Sequence, residues 1–146
     1  MSDLINALKG TWANLNRDNL DQLEQIYRED LKFVDPINVI VGRERFLRHM
    51  QHSYQNVIQC TFEFHPDKEL ITEHQAYLSW TMHYRHKKVG NGREISLDGV
   101  SLMKFDDQIY FHQDWFDLGS MLYEHIPLLG GAVKFIKGKA SEKPRS

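Results

Sequence analysis

The sequence has little cysteine, no marked excess of charge of one sign and no long apolar run, and each absence excludes a class of protein. A single cysteine, Cys60, cannot form a disulfide framework or a cysteine-type metal site. The 18 basic and 20 acidic residues are interleaved, which argues against a nucleic-acid partner. No stretch is long enough to span a membrane, and the start lacks the pattern of a secretory signal. We therefore expect a cytoplasmic protein.

Histidine is plentiful, but its spacing does not indicate a metal site. Of the eight histidines, His49 and His52 are three residues apart on a predicted helix, and His83 and His86 fall on opposite faces of a predicted strand. None lies in a His-Glu-x-x-His context. We expect no metal and no cofactor.

The length and the hydrophobic content predict one domain. A chain of 146 residues with 41% hydrophobic residues can bury the core of a single globular unit. We assign residues 1–138 to this domain and residues 139–146 to a mobile basic tail. The apolar segment 118–139, which precedes the tail, contains Pro127 and the pair Gly130-Gly131.

The first 57 residues follow helical spacing around one short strand. Apolar residues predict a first helix that ends near Asn16 and a second that runs from Asp18 to about Glu29, with Tyr27 on its apolar stripe. A strand at 31–35 and a turn at Asp35-Pro36 follow. A third helix is predicted after Gly42, with an apolar face that extends to Val57.

From Ile58 to Asp117 the pattern changes to period two and is rich in aromatic and β-branched residues. Helices followed by a meander of strands indicate an α+β fold with helices on one face of a bent sheet. The four long antiparallel strands are predicted at about 58–65, 69–74 continuing through 76–87, 94–105 and 108–117.

Three motifs occur in this order along the chain: Phe33-Val-Asp-Pro36, Gly42-Arg-Glu-Arg-Phe46 and the stretch from Ile109 to Asp117. With the predicted elements, they resemble the nuclear transport factor 2-like superfamily, which includes ketosteroid isomerases, limonene epoxide hydrolases and SnoaL-like polyketide cyclases. The resemblance implies a cystatin-like cone, in which helices pack on a strongly curved antiparallel or mixed sheet around a central apolar pocket. Because this superfamily has many functions, the fold alone does not assign a reaction.

Asp35 is the first candidate catalytic residue. By the resemblance it stands where ketosteroid isomerases have their general base, and a carboxylate in an apolar cavity suits that role. The alternative is that Asp35 accepts hydrogen bonds from backbone amides of the Asp-Pro turn.

Asp114 is the second candidate, and His112 is its possible acid–base partner. By the resemblance Asp114 matches the first acid in the Asp-aromatic-Phe-Asp run of the epoxide hydrolases. Strand alternation predicts that His112, Asp114 and Phe116 share one face with Tyr110. The alternative for Asp114 is a solvated acid on the sheet surface. The residues predicted on the opposite face are Ile109, Phe111 and Trp115.

The sequence also departs from both known reactions of the resembling enzymes. The two oxyanion donors of the isomerase correspond to positions near Trp12 and at Gly99 or Ser101, where neither a tyrosine nor an acid is present. Asp98 is next to this position, but alternation predicts that it faces outward. The epoxide hydrolase needs acids on the second long strand, and none occurs between Gln75 and Arg93. Neither mechanism is complete.

The remaining prediction is an apolar pocket for a small lipid-, terpenoid- or polyketide-like molecule. Its function is open between proton-transfer catalysis of the isomerase, cyclase or dehydratase type and non-catalytic binding. A third possibility, a dimeric interaction module, follows from the outward apolar residues Val100 and Leu102, and the resemblance implies a homodimer through the sheet. The predicted pocket residues are Trp12, Phe33, Trp80, Met82, Tyr84, Ile95, Leu97, Ser101, Phe116 and Leu128.

Overall fold

The elements of the fold are taken from residues 3–88, 92–117 and 138–139, which the computed structural model describes. Of the apolar segment from residue 118 and the tail, only residues 138 and 139 are among them. The predicted domain boundary therefore stays a prediction. The helices are α1 (Asp3–Ala13), a 3-10 helix (Leu20–Gln25), α2 (Arg43–Tyr54) and a 3-10 turn (Pro66–Lys68). The strands are β1 (Tyr27–Val34), β2 (Val39–Val41), β3 (Val57–Phe64), β4 (Leu70–Ile71), β5 (Gln75–His86), β6 (Ile95–Phe105) and β7 (Ile109–Phe116).

The strands form one curved, mixed sheet with the order β2-β1-β7-β6-β5-β3, and β4 pairs with β5. The pair of β1 and β7 is parallel, and the other pairs are antiparallel. The four long strands β3, β5, β6 and β7 confirm the predicted meander. The predicted continuation of 69–74 into the second long strand is wrong, because the chain turns back after β4 and Leu70 and Ile71 pair antiparallel with Tyr77 and Ala76. Helices on one curved sheet confirm the α+β class.

The inner face of the sheet and the helices share one hydrophobic core. Helix α1 buries Ile5, Leu8 and Trp12 at helical spacing, and α2 buries Phe46 and Met50. Strand β6 alternates between buried and exposed residues along its length, as a strand with one covered face does. In the described part of the chain, no helix is long and apolar enough to cross a membrane.

Three boundaries near the core differ from the predictions. The second predicted helix is only a 3-10 helix that ends at Gln25, and Tyr27 begins β1 because it pairs with Ile109 of β7. Helix α1 ends at Ala13, before the predicted Asn16. Val57, predicted on α2, is the first residue of β3 because it pairs with His86. At Tyr27 and Val57 a long-range strand pair overrides the local helical pattern.

One extra residue in β7 changes the predicted alternation at its start. Phe105 pairs with Ile109, whereas the neighbouring Lys104 pairs with Phe111, so Tyr110 is a bulge residue. Ile109 is therefore fully buried, and its predicted outward position is wrong. The ring of Tyr110 lies 4.5 Å from the guanidinium of Arg28 and not beside His112 as predicted. Beyond the bulge the alternation is as predicted.

Candidate functional site

A cavity of about 340 Å³ lies between the inner face of the sheet and the helices α1 and α2. Its volume is at the lower end of the ~300–1,000 Å³ that small-molecule sites usually have. Most of its wall is aromatic or sulfur-containing, which suits a flat or flexible apolar molecule. These wall residues include Trp12, Phe33, Met50, Phe62, Trp80, Met82, Tyr84 and Phe116.

Asp114 lies at the inner end of this cavity. Strand alternation turns its side chain inward from β7, and it pairs across the sheet with Ser101 of β6. Asp114 also lines a recess of about 20 Å³ behind Trp12 and Trp80, which can hold about one water molecule. The carboxylate therefore contacts both the cavity and a space of the size of one water.

Two hydrogen bonds hold one oxygen of the Asp114 carboxylate. Oδ1 accepts a bond of 2.5 Å from the hydroxyl of Ser101 and one of 2.7 Å from Nε2 of His112. The side chain of Asp114 is 18% exposed and that of His112 only 4%. Among the residues that the structure describes, none donates a hydrogen bond to Oδ2, so this oxygen can accept one from a ligand.

His112 is oriented in turn by Tyr27 and Trp12. The hydroxyl of Tyr27 lies 2.8 Å from Nδ1 of His112, and Nε1 of Trp12 donates to the same hydroxyl at 3.0 Å. Because an ionised Asp114 only accepts, Nε2 of His112 carries the proton, and Nδ1 accepts from Tyr27. For a neutral His112, the network therefore selects this one tautomer.

Burial and aromatic packing keep this network in place. Desolvation, partly offset by the bond from Trp12 and reinforced by the charge of Asp114, holds the pKa of Tyr27 well above its usual range. Tyr27 therefore remains a donor near neutral pH. The imidazole of His112 stacks on Tyr27 at 5.7 Å and meets the edge of Phe33 at 5.2 Å. The ring has little freedom to rotate.

On the other side of Asp114, Trp80 packs closely on Gly99 and its indole N–H orients the hydroxyl of Ser101. The indole Nε1 of Trp80 donates to the Ser101 hydroxyl at 2.8 Å. The ring lies over Gly99, where a Cβ atom would be only 2.2 Å from the indole. No side chain therefore fits at position 99, where the resemblance would put an acid of the isomerase site.

Asp35 lies in the turn between β1 and β2. It directly follows Val34, which pairs with Gln113 of the parallel strand β7, so Asp35 is on the Asp114 side of the cavity. Its Oδ1 accepts from the backbone amides of Ile37 at 3.0 Å and Asn38 at 2.8 Å. The side-chain amide of Asn38 lies 3.1 Å from each carboxylate oxygen. Asp35 thus lines the cavity and also accepts the hydrogen bonds of its own turn, which was the alternative prediction for it.

The predicted site residues fall into four groups. Ser101 and His112 line the recess and not the cavity. Ile95 and Leu97 are buried but do not line the cavity, because their partners on β5, Tyr84 and Met82, form that part of its wall. Leu128 lies outside the described residues. The predicted residues that line the cavity are Trp12, Phe33, Asp35, Trp80, Met82, Tyr84, Asp114 and Phe116.

Sequence analysis missed Tyr27 and three polar residues of the cavity. Tyr27 was assigned to a helix, so its position beside β7 was not foreseen. His49 and Ser53 are four residues apart on α2, and this spacing does put them on one face of a helix. His86 is the last residue of β5. It is an even number of residues from Trp80, so strand alternation puts the two side chains on the same inner face.

Cys60 also lines the cavity, and its thiol is not activated. Burial raises the pKa of Cys60 to about 11, although the hydrogen bond from Tyr54 lowers it. A thiol with this pKa is protonated at neutral pH and is a poor nucleophile. In residues 3–88, 92–117 and 138–139, no group of three or more His, Cys, Asp and Glu side chains could hold a metal ion.

Comparisons with known proteins agree with this fold. A family model described as a SnoaL-like domain matches residues 9–112. No curated protein sequence matches the chain. An NTF2-like protein of unknown function from Burkholderia pseudomallei is 15% identical with a TM-score of 0.70, over 83% of this chain and 95% of that one.

Two further similar structures have names that refer to enzymes. A LEH-like epoxide hydrolase from M. tuberculosis is 16% identical with a TM-score of 0.68, over 94% of this chain and 97% of that one. A protein described as a SnoaL-like polyketide cyclase from Shewanella putrefaciens is 16% identical with a TM-score of 0.65, over 83% of this chain and 94% of that one. At such identities the similarity shows the fold alone.

Proposed function

Because this chain belongs to the SnoaL-like domain family, we propose that it binds a small apolar molecule in the cavity and transfers a proton on it through Asp114. The reaction class is that of an isomerase, cyclase or dehydratase, and the ligand is lipid-, terpenoid- or polyketide-like. The names of similar structures, an epoxide hydrolase and a polyketide cyclase, are compatible with small-molecule chemistry in this fold.

The observation that carries the proposal is the position of the Asp114 carboxylate at the inner end of an apolar cavity. Oδ1 is held by His112 and Ser101, whereas Oδ2 accepts no hydrogen bond from the described residues. A carboxylate oriented in this way can take a proton from carbon beside a carbonyl group. The C–H bond breaks, an O–H bond forms on Asp114, and the electron pair moves to the carbonyl oxygen as an enolate.

In this proposal His112 is a positioning residue and Asp35 is a secondary acid. His112 donates to Asp114 and so holds the carboxylate in place, while Tyr27 orients the imidazole through Nδ1. Asp35 lines the same cavity and is bonded to Asn38. A general-base role for Asp35 is the second candidate role in this proposal.

A non-catalytic binding module is the alternative function, and one observation favours it. The N–H and O–H donors around Asp114 belong to Trp12, Tyr27, Ser101, Trp80 and His112, and each donates within the network. None of these five groups is left to stabilise an enolate oxygen, which is often the largest contribution to such a reaction. The same cavity would then only hold its ligand.

We also propose that two copies of the chain associate through the outer face of the sheet. Tyr77, Val100 and Trp115 are 42%, 39% and 45% exposed, and Val100 pairs directly with Trp115. Large exposed apolar residues that lie side by side suit a self-complementary interface. The expected cytoplasmic location likewise remains a proposal.

Hydrogen exchange on a flat apolar ketone tests the catalytic proposal. Incubated with β-tetralone in deuterated buffer, the protein should accelerate exchange of the acidic C–H groups by about 100-fold over buffer alone, as positioned bases do. The Asp114→Asn variant should lose this acceleration, because an amide is not a base. Proton NMR of the ketone measures the rate.

Asp98→Asn is the matched control for this experiment. Asp98 is an exposed acid on the outer face of the adjacent strand β6, where it accepts a hydrogen bond from Thr81 at 2.6 Å. This variant should exchange the ketone as fast as the unmodified protein. Equal loss in both variants, or no acceleration despite measurable ketone binding, would contradict catalysis by Asp114, and the latter result would favour the binding module.

A further inference from the structure

Two carboxylates lie on the same side of the cavity. Val34 of β1 pairs with Gln113 of β7 in parallel register, and Asp35 and Asp114 directly follow this pair. Neighbouring strands lie ~4.8 Å apart, so the two acids branch from adjacent parts of the sheet. Both side chains line the cavity. A ligand that fills the cavity therefore meets two acidic groups on one side.

The groups that hold these carboxylates do not neutralise their charge. Asp35 accepts hydrogen bonds from two backbone amides and from the side-chain amide of Asn38. Asp114 accepts from the hydroxyl of Ser101 and from Nε2 of His112, which is neutral in the tautomer that the network selects. Neutral donors of this kind orient a carboxylate but leave its negative charge in place.

The rest of the cavity wall offers little positive charge. In the described part of the chain, no Lys or Arg side chain lines the cavity. The basic groups of the wall are the imidazoles of His49 and His86. Burial and then the charge of Lys88 lower the pKa of His86, which favours its neutral form. Near neutral pH the two carboxylates therefore dominate the charge of the cavity.

Aromatic rings flank both acids. Phe33 is two residues before Asp35 and lines the cavity with it. Phe116 is likewise two residues after Asp114, so strand alternation puts the ring on the face of the acid. The indole of Trp80 donates to the hydroxyl that holds Asp114. Because the face of an aromatic ring attracts a cation, the rings and the carboxylates favour the same kind of ligand group.

A neutral ligand would leave the two negative charges without compensation. The side chain of Asp114 is partly exposed, so water can solvate it in the free protein. A ligand that fills the cavity displaces this water, and a charge that loses its water without a new partner is costly. A positively charged group replaces the lost solvation, whereas a negatively charged group is repelled. The cavity therefore discriminates between ligands by their charge.

We infer that the ligand carries a positive charge, in a substituted ammonium group that binds beside Asp35 and Asp114 against the aromatic wall. The ligand is then an amine with an apolar body. Asp35 supplies the counter-charge, and Asp114 remains able to accept a proton in the proposed reaction. This inference rests on the proposed function, because it names the ligand class for the same cavity.

Three benzyl compounds of nearly the same shape test the charge of the ligand. Benzyltrimethylammonium is a cation, neopentylbenzene is its neutral carbon analogue, and phenylmethanesulfonate is an anion. At about pH 8, where imidazoles are ordinarily neutral, the cation should bind about tenfold more tightly than the neutral compound, and the anion should bind most weakly. Quenching of tryptophan fluorescence measures the dissociation constants, since Trp12 and Trp80 line the cavity.

Two double variants locate the effect at the two acids. In Asp35→Asn, Asp114→Asn the preference for the cation should fall to about twofold or less, because only the attraction of the rings remains. Asparagine keeps an Oδ1 acceptor at both positions and removes the charge. The control is Asp98→Asn, Asp107→Asn, which removes the same charge from two exposed positions and should keep the preference.

The outcomes separate this inference from the proposed function. If the unmodified protein binds the neutral compound or the anion as tightly as the cation, the inference is wrong, while the apolar cavity stands. If the cavity variant keeps the full preference, or if both double variants lose it equally, the charge acts from elsewhere and the inference is wrong. If none of the three compounds binds, both the inference and the proposed apolar cavity are contradicted. The comparison in the unmodified protein does not depend on the folding of any variant.

Discussion

At the scale of single residues, Tyr27 shows how a group outside the cavity wall orients the group that faces the ligand. Its hydroxyl accepts from Trp12 and donates to Nδ1 of His112, and His112 then donates to Asp114. A fully satisfied buried network of this kind favours one arrangement of its members. The tautomer of His112 therefore depends on one hydroxyl group.

Removal of that hydroxyl should be costly. In Tyr27→Phe, Nδ1 of His112 and Nε1–H of Trp12 both lose their partner in a buried place, so the free energy of unfolding should fall by about 1–3 kcal/mol. The ¹⁵N NMR signals of His112 should also change from one tautomer toward a mixture. Urea denaturation and the NMR spectrum measure the two effects.

Tyr110→Phe is the control for this prediction. The ring of Tyr110 stacks on Arg28 at the surface, and its replacement should change stability by less than about 0.5 kcal/mol. A Tyr27→Phe variant that keeps both its stability and the His112 signals would show that the hydroxyl does not orient His112.

At the scale of elements, the contact between β5 and β6 depends on a glycine. Trp80 and Gly99 are directly paired, and the indole of Trp80 covers the place of a Cβ atom. This arrangement lets the indole N–H reach Ser101, two residues along β6. The packing of two strands thus sets the position of one of the donors to Asp114.

Gly99→Ala and Gly10→Ala should therefore have opposite effects. The added methyl at position 99 would be 2.2 Å from the indole, so the free energy of unfolding should fall by about 1–3 kcal/mol, as overpacking usually causes. At position 10, inside α1, the methyl meets nothing within 4 Å, and stability should rise by about 0.5–1 kcal/mol. Urea denaturation measures both, and a neutral Gly99→Ala would contradict the close packing of Trp80.

At the scale of the whole molecule, the buried phenols and the thiol make stability depend on alkaline pH. Burial holds the pKa of Tyr27 well above its usual range and also raises the pKa of Tyr54, with a contribution from Cys60. The pKa of Cys60 is raised to about 11 and that of Tyr84 to about 12, in both cases mainly by burial. All four groups bind their proton more tightly in the folded state than in the unfolded chain.

The sign of the pH dependence follows from this difference. A raised pKa in the folded state stabilises the protein fully below the unfolded pKa, and this stabilisation is lost as the pH rises through the folded pKa. The free energy of unfolding should thus begin to fall above about pH 8.5, where an unfolded cysteine ionises, and more steeply above about pH 10. Each of Tyr27 and Tyr54 contributes a slope of about 1.4 kcal/mol per pH unit above about pH 10.

Urea denaturation between about pH 8 and about pH 11, together with the absorbance of tyrosinate, measures this dependence. Some of the six tyrosines should ionise only as the protein unfolds. The variant Tyr54→Phe should show a smaller slope. If all tyrosines of the folded protein ionise near pH 10, the burial of the phenols is contradicted.

The features that the sequence determined by itself, the long strands and the side chains that share a face, depend only on local patterns. The period-two pattern of residues 58–117 predicted the four long strands, and the same alternation put His112, Asp114 and Phe116 on one face. Alternation is a property of the extended backbone, and it needs no knowledge of the partner strand. The α+β class followed from these patterns, and half of the residues that line the cavity were predicted from the sequence.

The tertiary structure decided the features that depend on distant partners. Tyr27 joined β1 and the His112 network because it pairs with β7, although its local pattern is helical. The bulge at Tyr110 arose from the pairing of β6 with β7. Whether Trp80 and its neighbours fill the cone or surround a cavity depends on how the side chains of six elements pack together. The fit of such distant groups is not encoded in the spacing of any one segment.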